Sequence, residues 1–151
     1  LVHLSQHPRA RDVMTRVHWE NNNHFIHYGG AGLDMFRVLG YDADRDERYT
    51  GQGGLAFEFD DVANDASIRQ LTDQLVRLMR EREAIRFGDL YASTCNTTPA
   101  DSPRYRVALE GLIGHKEIVV NGPNGEQRRK ATTIEDDDII KMATQRTLFL
   151  P

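Results

Sequence analysis

The segment Asn121 to Glu126, with the sequence NGPNGE, is the feature that most constrains the fold of this chain. Asparagine and glycine tolerate the backbone angles of tight hairpin turns, and proline fixes its own backbone angle. The preceding EIVV is apolar and β-branched, and QRRKATT follows the turn. These segments predict a β-hairpin. The role of this hairpin decides whether the second half of the chain is a nucleic-acid-binding module or a scaffold.

Three helices are predicted between residue 61 and the hairpin. The first begins near Asn64 or Asp65 and ends near Glu83. The extended segment AIRF precedes a short second helix, GDLYASTC, and Ser102 before Pro103 is the expected N-cap and first residue of the third. The apolar residues expected to face inward are Ile68, Leu71, Leu75, Leu78 and Met79 in the first helix, and Tyr105, Ala108, Leu109, Leu112 and Ile113 in the third.

The signals after the third helix complete a recognisable order of elements. Gly114 stands where a glycine ends a helix. After the hairpin, Thr133 can cap a last helix, with the carboxylates of residues 135–138 in its first turn. Helix, short strand, helix, turn, helix and hairpin is the order of a winged helix-turn-helix, with NGPNGE in its wing. We therefore predict an α+β fold, with this domain over residues 61–151.

Residues 1–60 are predicted to be a strand-helix remnant and connecting arm of an upstream α/β domain. LVHLSQH alternates apolar and polar residues as a strand does, and Pro8 suits the first position of a helix that ends in the asparagines 21–23. GGAG is a loop, and LAFEFD is a strand or an arm that packs against a partner. The chain opens without a methionine, so we expect a fragment. The predicted apolar face of the helix consists of Val13, Met14, Val17 and Trp19.

Three segments resemble a known protein family. LSQHPRARDVM resembles the end of the N-terminal domain of three-Cys-motif partner (TcmP) proteins, in which a strand runs into a His-Pro and a helix. FGDLYASTCNTTPADSPRYRVALEGLI and RRKATTIEDDDII resemble the winged-helix region that closes members of that family. The resemblance covers most of the chain. It implies a missing upstream domain similar to a Rossmann methyltransferase and a bacterial origin, with a three-cysteine protein as a candidate partner.

Cations are concentrated around the third helix and the wing, although the formal net charge of the chain is −4. In a helix-turn-helix the third helix enters the major groove N-terminus first, where arginine can pair with guanine. A serine or a free backbone N–H at that end can hold a phosphate. The helix residues expected to face outward are Ser102, Arg104, Arg106, Val107 and Glu110. The predicted contacts to nucleic acid, DNA by preference, are Ser102, Arg104, Arg106, Arg128, Arg129 and Lys130.

Two other functions stay open on the sequence alone. Cations on an edge strand also deter aggregation, and a winged helix can serve only to dimerise or to hold a protein partner. Alternatively, the activity belongs to a catalytic domain absent from this chain, which is then inert alone. Nucleic-acid affinity that falls steeply with salt favours the first function, whereas mass that rises with protein concentration favours the second.

No catalytic, metal or cofactor site is predicted. All but one of the histidines lie within the first 27 residues, but their spacing does not provide a zinc site. GGAGLD lacks the pattern of a phosphate-binding loop. Cys95 is expected to be a small buried apolar residue, since His115 is the only histidine in the second half of the chain. No apolar run could span a bilayer and no signal peptide is recognised. Because Cys95 is the only cysteine, no internal disulfide is possible, and we expect a cytoplasmic location.

Overall fold

The computed structural model of the 151-residue chain describes residues 7–21, 31–33 and 59–144. These ranges contain α-helices and a four-stranded antiparallel sheet. The helices are α1 (Pro8–Glu20), α2 (Asp61–Arg80), α3 (Phe87–Thr94) and α4 (Ser102–Gly114). The strands are β1 (Ile85–Arg86), β2 (Ile118–Asn121), β3 (Gln127–Arg128) and β4 (Ile139–Met142), and short 3-10 helices cover Cys95–Thr97 and Ala131–Thr133.

Parts of the first 60 residues lie outside the described ranges. They include the predicted strand up to residue 6 and most of the LAFEFD arm. The proposed boundary between residues 60 and 61 therefore stays a prediction. From residue 59 to residue 144 every position is described, and the α+β class predicted for this region is confirmed.

Helices α2 and α4 pack against each other and supply much of the core. Asp60 caps α2 by accepting a hydrogen bond from the Ala63 backbone N–H at 2.7 Å, so the helix begins earlier than predicted. A carboxylate at this position satisfies one of the free N–H groups that every helix leaves at its start. The inward-facing pattern is confirmed, because the following predicted residues are buried: Leu71, Leu75, Met79, Tyr105, Ala108, Leu109 and Leu112.

The sheet has the strand order β1-β4-β2-β3. Strand β4 pairs with β2 over four residue pairs, whereas the returning strand β3 pairs with β2 over two. Two predictions are therefore wrong: QRRKATT is mostly not a strand, and the residues after Thr133 that the structure describes, 134–144, form no helix. Residues 135–138 form a loop instead, because β4 contributes β-branched residues that pair between β1 and β2.

Helix α1 is capped by His7, whose Nδ1 accepts a hydrogen bond from the Arg9 backbone N–H at 3.2 Å. Its end at the asparagine run is confirmed, and so is the burial of Trp19 from its predicted apolar face. The prediction is wrong for Val13 and Val17, which are 51% and 39% exposed, while Thr15 is buried. The helix packs on the turn between α3 and α4 through Trp19 and polar contacts rather than through a valine stripe.

Two turn positions in the described part of the chain have a left-handed backbone. Gly125 in the wing has φ of 86°, and its N–H donates to the Gly122 carbonyl oxygen at 2.9 Å, as the predicted hairpin turn requires. Lys116, with φ of 59°, reverses the chain after α4. Gly114 is therefore the last helical residue and not the left-handed residue that ends the helix.

Candidate nucleic-acid interface

Helices α3 and α4 form a helix-turn-helix whose corner is fixed by buried tyrosines. The Tyr91 and Tyr105 rings meet edge to face at 5.1 Å, and the Tyr105 hydroxyl lies 2.8 Å from Thr94 Oγ1. Burial raises the pKa of both phenols, so they stay protonated and can donate hydrogen bonds. Cys95 is buried as predicted, and burial raises the pKa of its thiol.

The N-terminal turn of α4 has no backbone N–H left for a phosphate. The Ser102 N–H donates to Asp12 Oδ1 at 2.7 Å, and the Arg104 N–H donates to Asp101 Oδ1 at 3.2 Å. Pro103 has no N–H, and the Tyr105 N–H already donates to the Asp101 carbonyl oxygen. The N-cap is Asp101 rather than Ser102, which is the first helical residue and is only 7% exposed. The expectation that Ser102 faces outward is therefore wrong.

Helix α1 covers this end of α4. Asp12 also accepts a hydrogen bond from the Tyr91 hydroxyl at 3.0 Å, and the Arg11 guanidinium donates to the Thr98 carbonyl oxygen at 3.3 Å. The Trp19 indole N–H donates to the Pro99 carbonyl oxygen at 2.9 Å. Asp12 thus places a carboxylate where a helix-turn-helix protein often holds a backbone phosphate, at the first N–H of its third helix.

The importance of Asp12 is testable by its removal. Asp12→Ala leaves the Ser102 N–H and the Tyr91 hydroxyl without their acceptor, and we expect it to lower the free energy of unfolding by about 1–3 kcal/mol. Urea denaturation followed by circular dichroism measures this change. Asp73→Ala, at an exposed position of α2, is the matched control and should change stability by less than about 0.5 kcal/mol. Equal effects in the two variants would contradict the capping interaction.

The two predicted arginines of α4 are held by neighbouring groups. Arg104 pairs with Asp101 at 2.9 Å, and its guanidinium lies 3.6 Å above the Trp19 ring. Arg106 Nε donates to the Ile134 carbonyl oxygen at 2.9 Å, and its terminal nitrogens donate to Ser102 Oγ at 2.5 Å and Asp136 Oδ1 at 3.2 Å. Arginine held in this way positions protein groups, and whether either also contacts nucleic acid stays a prediction.

Arg128 anchors the wing to the loop before β4. Its Nε donates to Asp138 Oδ2 at 3.0 Å and its Nη2 donates to Asp138 Oδ1 at 3.2 Å, a bidentate geometry. Glu126 and Glu135 lie 3.1 and 3.8 Å from the same guanidinium. The hydrogen bond to Asp138 is the main cause that raises the pKa of Arg128. Asp138 is fully buried, so the run Glu135–Asp138 fixes the wing and is not the first turn of a helix.

Arg129 and Lys130 differ from their neighbour. Both side chains are exposed, and the described part of the chain provides neither with an ion pair. Of the six predicted contacts, these two are therefore the ones that present cations to solvent. Glu110, also expected to face outward, is exposed but accepts a hydrogen bond from the Ala131 backbone N–H, which ties the middle of α4 to the end of the wing.

Sequence reasoning missed two residues that shape this surface, Asp12 and Asp138. No local signal marks Asp12, because its partner Ser102 is 90 residues away in the chain. Asp138 could have been found, since the β-branched pair Ile139 and Ile140 that follows it is typical of a strand and not of a helix.

These elements define a winged helix-turn-helix domain: a helix pair with a fixed corner, a small sheet and a wing. A family comparison agrees, since the GMT-like wHTH domain matches residues 40–125, more than half of the chain. The chain belongs to this family. No curated protein and no solved structure shows significant similarity to it. The match does not name the TcmP family, so that resemblance stays a prediction.

The domain class indicates a nucleic-acid-binding module in general terms. Among residues 7–21, 31–33 and 59–144, no group of three or more His, Cys, Asp or Glu side chains is placed to hold a metal ion. In the same ranges, no helix is both long and apolar enough to cross a bilayer.

Proposed function

We propose that this winged-helix domain binds the phosphate backbone of nucleic acid, DNA by preference, through its wing, and so brings an attached catalytic domain to the nucleic acid. One observation carries the proposal: the wing presents Arg129 and Lys130 to solvent while Arg128 beside them is neutralised by carboxylates. Of these three consecutive cations, Arg128 thus anchors the wing, whereas Arg129 and Lys130 are exposed. The attached domain rests on the TcmP resemblance, and its activity is not assigned to any residue of this chain.

The wing can be tested by fluorescence anisotropy of a labelled DNA duplex, titrated at several salt concentrations. We expect weak binding that decreases with salt, because few phosphates are contacted. The double variant Arg129→Ala, Lys130→Ala should weaken binding and reduce the salt slope by about 0.9 for each phosphate that the wing no longer neutralises. A double variant of exposed arginines on α2, Arg69→Ala, Arg77→Ala, is the control and should bind as the original chain does.

Two results would contradict this proposal. Absence of binding at low salt would remove the nucleic-acid function from this chain. Equal weakening by the wing variant and the α2 variant would mean that the wing has no special part in binding.

A second candidate function is protein docking or dimerisation through α4. Val107 is 44% exposed, and no described residue lies within 4 Å of the position that a side chain at Gly111, one turn further along the helix, would occupy. An exposed apolar side chain beside open space suits a protein partner better than a phosphate backbone. Sedimentation equilibrium distinguishes the two functions: mass that rises with concentration, together with no binding to the duplex, would favour docking.

A further inference from the structure

The sheet has an outward face whose side chains follow from the register of its strands. Ile85, Ile140 and Val120 are paired neighbours on β1, β4 and β2, and all three are buried in the core. Successive residues of a strand point to opposite faces. Arg86 on β1 and Lys141 on β4 therefore lie on the face away from the core, and both are exposed.

The wing continues this outward face. Arg128 pairs with Val120 and so lies on the core side of the sheet, where it meets Asp138. Gln127 pairs with Asn121 on the outward side. Strand β3 ends at Arg128, and the exposed Arg129 follows it directly. On the other side of β2, Lys141 pairs with Val119.

Three of the carboxylates near this face contact other groups. Asp138 and Glu135 meet Arg128 on the core side, and Asp136 meets Arg106 of α4. Glu117, just before β2, and Asp137, two residues before Ile139, are exposed acidic residues beside this face. Among the described residues, no ion pair engages Arg86 or Lys141. The outward face is consequently more basic than the chain as a whole, whose formal net charge is −4.

The dimensions of the sheet suit a polyanion. Neighbouring strands lie about 4.8 Å apart and residues two apart on a strand about 7 Å, which places Arg86 and Lys141 roughly 8 Å from each other. Duplex DNA carries one charge for about every 1.7 Å of its axis, so a face of this width meets several phosphates. The N-terminal turn of α4 offers a phosphate no free N–H group, because its N–H groups already donate to Asp12 and Asp101.

We infer that the outward face of the sheet, through Arg86 and Lys141, extends the wing surface and contacts the phosphate backbone of the same nucleic acid. The inference rests on the proposed function. It moves the main contact from the N-terminal end of α4, where such domains usually insert a helix into the major groove, to the sheet and the wing.

The test is the same duplex titration with a charge-reversal variant, Arg86→Glu, Lys141→Glu. We expect the affinity to fall by about tenfold or more, and the salt slope to decrease by about 2, because two phosphates are no longer neutralised. The control Arg69→Glu, Arg77→Glu makes the same change in net charge on α2 and should alter affinity by less than about threefold through long-range repulsion. Unfolding midpoints establish that each variant folds, and Arg86→Gln, Lys141→Gln replaces the reversal variant if it does not.

The outcomes separate this inference from the proposed function. Weakened binding by the wing variant together with original affinity in the sheet variant would overturn the inference and leave the wing proposal standing. Equal weakening by the sheet variant and the α2 control would also overturn it, since net charge alone would then account for the effect. No binding by the original chain at low salt would overturn both.

Discussion

Replacing Leu109 with alanine will lower the free energy of unfolding by about 2–5 kcal/mol. Leu109 is 0% exposed in the middle of α4, within the core shared with α2, so the substitution removes buried apolar surface and leaves a cavity. A smaller effect applies only where neighbouring side chains can collapse into the space. Urea denaturation followed by circular dichroism gives the difference directly.

The matched control for this substitution lies two residues away on the same helix. Val107→Ala removes apolar carbon from a side chain that is 44% exposed, and should change stability by less than about 0.5 kcal/mol. Both substitutions replace a residue by the best helix former, so helix propensity cannot lower the stability of either variant. Similar stability in the two variants would contradict the orientation of α4, and with it the face that carries Arg104 and Arg106.

Replacing Asp138 with alanine should lower the free energy of unfolding by about 2–3 kcal/mol, because it removes hydrogen bonds of a charged group from a fully buried position. Asp138 accepts from two nitrogens of Arg128 and from the Glu135 backbone N–H at 2.8 Å. Its removal should also free the wing from the loop before β4. Urea denaturation measures the first effect, and amide hydrogen exchange of β3 the second.

The neighbouring carboxylate provides the control for this prediction. Asp137 carries the same side chain, is exposed and makes no described ion pair, so Asp137→Ala should leave stability within about 0.5 kcal/mol of the original. If Asp138→Ala were as mild as Asp137→Ala, and exchange in β3 were unchanged, the wing would not depend on the ion pair between Asp138 and Arg128.

The helices of the second half could be predicted from the sequence because their determinants are local. Leu71, Leu75 and Met79 recur at helical spacing, and the turn residues of the wing include a glycine at the one position there with a positive φ. Helix boundaries shifted where two caps were available. Asp60 caps α2 in place of the predicted Asn64 or Asp65. Asp101 caps α4 in place of the predicted Ser102 and also forms an ion pair with Arg104.

The surface was harder to predict because its charged residues form hydrogen bonds and ion pairs with residues that are distant in the sequence. Four carboxylates in a row are typical of a helix start, yet three of them bind arginines from α4 and β3. In the sequence alone, Arg106 and Arg128 are ordinary candidates for phosphate contacts. Only the structure shows that both arginines bind the loop before β4. Only the structure shows, too, that Asp12, which is distant in sequence, accepts a hydrogen bond from the first N–H of α4.

We propose that the wing and the outward sheet face, and not the start of α4, contact the nucleic acid. Titration of the ¹⁵N-labelled chain with a short duplex, followed by two-dimensional amide spectra, tests it most directly. We expect the largest shift changes at Arg86, Arg129, Lys130 and Lys141, and no change at the amides of Ser102 and Arg104, because Asp12 and Asp101 hold them. Shift changes centred on Ser102 and Arg104 would contradict it.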